Sequence, residues 1–136
     1  MRIVVTGASG FIGGALVDVL AQDEHAEAVA VARRPLSAPP GVECVRVRDY
    51  GQAPGGDVLV HLAESPAVDA APDAPGANVL NSLLDGRYGR AIYASTQLVY
   101  GDATARPHLP SEAVVPSNPY TIRKRQREEQ LLAFGG

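Results

Sequence analysis

Apolar positions along the chain fall into short runs between glycine- and proline-rich turns, and their spacing switches between two periods. Arg2-Ile3-Val4-Val5 is an apolar run that stops at Thr6-Gly7. A continuous run bounded by glycine predicts a strand covered on both faces. From Phe11 to Leu20 the apolar residues Phe11, Ile12, Leu16, Val17, Val19 and Leu20 take helical spacing, so a helix follows the first strand. Ala28 to Ala32 is a second strand, closed by the turn residues of Pro35 to Gly41. Val42 to Val47 alternates imperfectly but is β-rich and reads as a third strand, and Asp57 to Leu62 as a fourth. Ala63 to Ala77 is rich in Ala and Pro and reads as a loop. Asn78 to Leu84 is the centre of a helix expected to start near Ala74 and end at Gly86. Ala91 to Ser95 is a fifth strand, and Gly101 to Pro116 a long loop of the kind that usually serves function. Asn118 as N-cap and Pro119 at the first helical position open a last helix, expected to run to about Ala133 with Gly135-Gly136 as its stop.

Strands alternating with helices predict one α/β domain over residues 1–136, a doubly wound parallel sheet of about five strands. Ligands of such sheets bind at the carboxyl end of the first strand, where the strand order reverses. Composition agrees: 46% of the 136 residues are hydrophobic but only 5% aromatic, so the core is built from small and β-branched side chains. Lys plus Arg (12) falls short of Asp plus Glu (15), and a net charge of −3 argues against a nucleic-acid partner. The single cysteine, Cys44, excludes an internal disulfide and is expected to be a small buried hydrophobe. His25, His61 and His108 show no ligand spacing, so no metal is expected. No apolar run approaches the roughly 20 residues of a membrane span, and Met1 to Thr6 reads as a strand rather than a signal peptide. The expectation is a cytoplasmic protein without a membrane partner.

Gly7, Gly10 and Gly13 lie in Thr-Gly-Ala-Ser-Gly-Phe-Ile-Gly, between the first strand and the first helix. Glycine there allows a sharp turn and lets a diphosphate approach main-chain N–H groups at the positive end of a helix. A tight turn without a ligand is the alternative. No Lys-Ser or Lys-Thr follows, so a nucleoside-triphosphate loop is not indicated. The second strand ends in Arg33-Arg34 and carries no carboxylate for the adenine-ribose hydroxyls. Two guanidinium groups suit a 2′-phosphate, so NADP is expected ahead of NAD; the plainer alternative is a solvated strand end.

Ser95 and Thr96 end the fifth strand, and Tyr120 and Lys124 stand four apart at the start of the last helix, on one face. A Tyr hydroxyl is a poor base at neutral pH, and a neighbouring ammonium favours its phenolate. A Thr hydroxyl beside them can hold a substrate oxygen. Taken alone, the Tyr–Lys pair would be an exposed helical pair.

Together with the glycine turn, this set resembles the short-chain dehydrogenase/reductase superfamily, and more narrowly its extended, NAD-dependent epimerase/dehydratase type, over almost the whole chain. The resemblance implies a Rossmann-type fold. It implies cofactor contacts from Gly7, Ser9, Gly10, Phe11, Ile12 and Gly13, from Asp49 with Tyr50 at the adenine, and from Leu62 and Ala63 after His61. It matches Asn78, and places Thr96 as substrate-oxygen holder, Tyr120 as acid/base and Lys124 as its tuner and a cofactor contact. Glu112, Pro116, Pro119 and Glu128 fit the same pattern. Arg123 departs from it, because the family has a small hydroxyl residue before the lysine. Family members also continue well beyond this helix, so the C-terminal substrate-binding part is expected to be lacking.

An unpaired fifth strand invites association. Its cover is expected from another chain, a second copy or the Gly101 to Pro116 loop. Leu131, Leu132 and Phe134, with the two helices that resemble the family's dimer interface, favour a homodimer. Arg123 to Arg127, apart from Lys124, reads as a solvated cationic face. Two functions follow from different classes. One is an NAD(P)-dependent oxidoreductase or epimerase/dehydratase acting on a carbonyl/hydroxyl or sugar-nucleotide small molecule. The other is a non-catalytic dinucleotide-binding module, or a fragment that needs a partner to complete its pocket. The double replacement Arg33→Ala/Arg34→Ala is expected to weaken NADPH binding much more than NADH binding in a fluorescence titration; equal losses would refute the 2′-phosphate assignment.

Overall fold

Successive side chains of β1 (Arg2–Thr6) point to opposite faces of the sheet, and both faces are buried. The computed structural model describes residues 1–64, 79–101 and 106–134. Asn78, the proposed helix start near Ala74, most of the Ala63 to Ala77 loop and Gly135-Gly136 lie outside the described residues. Four further strands, β2 (Glu27–Ala32), β3 (Glu43–Arg46), β4 (Gly56–His61) and β5 (Tyr88–Tyr93), complete a sheet of order β3-β2-β1-β4-β5. All its pairings are parallel. The order reverses at β1, which lies between β2 and β4, so the carboxyl ends of β1 and β4 flank the switch point.

On one face Val4, Val29, Val31 and Leu59 pack with Leu83 of α2 (Val79–Leu83) and with Tyr50 and Ala53. On the other, Ile3, Val5, Ala30, Val58 and Val60 pack with Val17 of α1 (Phe11–Leu20). Each fully buried Val or Leu contributes about 1.5–3 kcal/mol of burial free energy, so β1 and β4 are the rigid floor under their own carboxyl ends. At the opposite edge Arg2 bonds Glu27, Glu43 (2.7 Å) and the Gly55 carbonyl (3.2 Å), linking three strands and the turn before β4. The last helix, α3 (Pro119–Phe134), contacts β5 and α2. Asn118 Oδ1 accepts the Thr121 N–H (3.0 Å), which is the expected N-cap with Pro119 at the first helical position.

Three expectations are corrected. β5 begins at Tyr88, not Ala91, and ends at Tyr93. Its start is pinned by buried Tyr88, whose hydroxyl donates to the Pro54 carbonyl (2.7 Å). Beyond its end the Ala94 carbonyl serves the Lys124 ammonium (2.8 Å). As an edge strand it exposes Gly89, Arg90 and Ile92, which hides its start from an apolar-run reading. Cys44 is exposed, because β3 is the other edge of the sheet. Arg127 is buried rather than solvated: the stripe that α3 turns inward is Thr121, Lys124 and Arg127, polar throughout.

Among the described residues no helix is long and apolar enough to cross a membrane, and no group of His, Cys, Asp or Glu could hold a metal.

Candidate active site

Two cavities of about 410 Å³ each open at the carboxyl edge of the sheet, and they share Gly7, Gly10, Leu62 and Glu64. They form one groove across the turn between β1 and α1. Gly7 has φ +76°, and a Cβ there would stand 2.8 Å from the Leu62 carbonyl carbon. A Cβ on Gly13 would lie 2.3 Å from the Gly7 carbonyl oxygen. Only glycine lets the first turn of α1 lie this close to the strand ends. Gly10, the N-cap, is extended and offers no side-chain cap, and the first turn carries no acid. The positive end of α1 therefore faces the groove with main-chain donors available to an anion. The residues fit a diphosphate-bearing dinucleotide.

Most of the sequence-derived residues converge here. Gly7 and Gly10 line both cavities, Phe11, Ile12, Gly13, Tyr120 and Lys124 the first, and Ser9, Arg33, Arg34, Tyr50 and Ala63 the second. Leu62 lies between them. Two residues stand outside. Asp49 caps the short 3-10 turn Tyr50–Gln52, its Oδ1 accepting the Gly51 N–H (2.7 Å). Thr96 caps the turn Gln97–Tyr100, its hydroxyl accepting the Leu98 N–H (3.3 Å), and the neighbouring Ser95 lines the cavity instead.

Lys124 is 8% exposed. Its Nζ lies 2.8 Å from the Ala94 carbonyl, 2.6 Å from Glu64 Oε2, 4.6 Å from the centre of the Tyr93 ring and 5.8 Å from that of Tyr120. Burial pulls the Glu64 carboxyl upward, but the Lys124 hydrogen bond and charge prevail and hold it below its ordinary value. Arg127 Nε stands 3.9 Å from Glu64 Oε1. The Tyr93 hydroxyl is buried without a well-formed hydrogen bond, and burial together with the Glu64 charge raises its pKa. His61, 2% exposed, shares a 2.7 Å hydrogen bond with Thr6 Oγ1. Burial drives its pKa down to about 4, with Arg127 and Lys124 adding to the effect against Glu64.

Motif reading missed Glu64, Tyr93 and Arg127. Glu64 sits in the stretch read as a loop. Arg127 was legible, since Tyr120, Lys124 and Arg127 fall at helical intervals on one face.

The NAD dependent epimerase/dehydratase family matches residues 3–136, and the chain belongs to that family. Among solved structures, a UDP-galactose 4-epimerase is 31% identical with a TM-score of 0.82, covering 98% of this chain and 51% of its own. MoeE5 bound to UDP-glucuronic acid and NAD is 28% identical with a TM-score of 0.79, covering 98% and 49%. A UDP-glucuronic acid 4-epimerase from Bacillus cereus in complex with NAD shares the fold at 21% identity and a TM-score of 0.75, covering 98% and 52%. The chain thus spans about half the length of these proteins. No curated protein matches the sequence.

The state of His61 has a consequence for stability. Its folded pKa lies below the unfolded value near 6.5, so the unfolded chain takes up the proton first as pH falls. This contribution is complete above about pH 6.5 and is lost as pH falls toward about 4. Urea denaturation at pH 7.5 and pH 5 is expected to show a loss of about 2 kcal/mol assignable to this residue, and His61→Asn should remove that part of the slope.

Proposed function

We propose that the chain binds NAD or NADP along this groove and performs epimerase/dehydratase-type proton chemistry on a carbonyl/hydroxyl or sugar-nucleotide substrate. The observation that carries the reading is that an uncapped helix N-terminus and the Tyr120–Lys124 pair share one cavity. The nicotinamide, when bound, supplies oxidation and reduction at a substrate carbon. Tyr120 transfers the proton at the substrate oxygen, and Lys124, held by Glu64 and Ala94, keeps an ammonium beside that ring. Thr96 holds the substrate oxygen. Its hydroxyl accepts the Leu98 N–H, which leaves its own O–H to donate, whereas the Ser95 hydroxyl donates to Glu128.

At the other end, Arg33 and Arg34 are exposed in the second cavity, and the Arg33 guanidinium lies 5.5 Å from the Tyr50 ring centre. This supports NADP as a ligand ahead of NAD, although MoeE5 and the Bacillus cereus enzyme named above hold NAD. Asp49 would meet the adenine only through what its capping role leaves free. Of the three apolar residues expected to form an exposed patch, Leu132 is 68% exposed while Leu131 and Phe134 are partly buried, so the homodimer reading rests on Leu132 alone.

A second reading, a dinucleotide-binding module without turnover, is favoured by the same ion pair, because it occupies the Lys124 ammonium. Titration with both dinucleotides followed by a substrate screen separates the two. Tyr120→Phe is expected to bind the dinucleotide within about twofold of wild type and to lose about 10²–10⁴-fold in turnover. Binding by wild type without turnover of any such substrate establishes the module, and no binding contradicts both readings.

A further inference from the structure

Glu64 belongs to no motif, yet it lines both halves of the groove. A carboxylate is a poor companion for a diphosphate, which it repels. Its pairing with the buried Lys124 and Arg127 offsets that cost, and its charge also acts on whatever part of the ligand lies beside them. Among the residues lining the first cavity, Glu64 and Lys124 are the charged ones, since burial keeps His61 neutral. Their 2.6 Å contact cancels the lysine charge beside Tyr93 and Tyr120. Arg127, 3.9 Å from the same carboxylate, stands as a second cation behind this wall, so removing the Glu64 charge leaves this end of the groove more positive by one unit. The oxidised nicotinamide ring is a cation and the reduced ring is neutral, while the rest of the two molecules is the same.

Resting on the dinucleotide reading above, we propose that Glu64 is a specificity-determining residue whose carboxylate, paired with Lys124, biases the groove toward the oxidised form of the dinucleotide. The neutral variants Glu64→Gln and Glu64→Ala then unmask Lys124 against the cationic ring. Both forms carry the same diphosphate, so the repulsion between Glu64 and the phosphates cancels in the ratio of their dissociation constants. At an effective dielectric near 20, one added charge moves that ratio on the order of tenfold even from about 12 Å.

The experiment is calorimetric titration of oxidised and reduced NAD, and of oxidised and reduced NADP, into the full chain and into Glu64→Gln, Glu64→Ala and Glu64→Asp. The expected result is a ratio shifted about tenfold toward the reduced form in the Gln and Ala variants, with Asp close to wild type. Circular dichroism selects the folded variants, and either neutral variant suffices. An unchanged ratio in a folded neutral variant overturns the proposal, and so does an equal shift in Asp, which would mark a role in shape rather than charge. Binding with an unchanged ratio leaves the dinucleotide reading standing, whereas no binding of either form to wild type overturns that reading and this proposal together.

Discussion

The close approach of the first turn of α1 to the ends of β1 and β4 is the constraint from which the rest follows. It exists because Gly7 and Gly13 carry no side chain where a Cβ would overlap the Leu62 and Gly7 backbone. The approach brings the positive end of a ten-residue helix to the switch point of the sheet. The valine and leucine layers of β1, β2 and β4 hold those strand ends on both faces. A ligand at this point meets a rigid floor and main-chain donors that need no rearrangement.

The second structural theme is charge set into a partly dry wall. A helix that packs on a sheet normally turns an apolar stripe inward. α3 turns in Thr121, Lys124 and Arg127. Burying two cations costs free energy unless each finds partners. Glu64 reaches both of them, and Ala94 beyond the end of β5 and Gln130 on α3 itself complete the set. The shared carboxylate explains why the polar stripe is tolerated and why it faces the groove. The fold thus spends packing at this helix to keep titratable groups beside Tyr120.

The sheet and the glycine cradle were legible in the sequence because their signals are local. Apolar runs located the three inner strands β1, β2 and β4 to within a residue, and the Asn118-Pro119 pair marked the start of α3. Edge elements were harder to read. β5 exposes Gly89 and Arg90, and β3 exposes Cys44, so neither edge shows a buried period. Within the site, spacing on α3 tied Tyr120 to Lys124, but Glu64 reaches Lys124 from sixty residues away through the fold, and no period in the chain encodes that contact. The roles of Asp49 and Thr96 rest on resemblance, and in the structure both cap short turns.

A crystal structure of the chain with NAD or NADP tests the central claim most directly. The account predicts the diphosphate on the main-chain N–H groups that open α1, with the nicotinamide reaching the wall formed by Tyr120 and Lys124. A dinucleotide bound elsewhere, with the turn from Gly7 to Gly13 untouched, would contradict it.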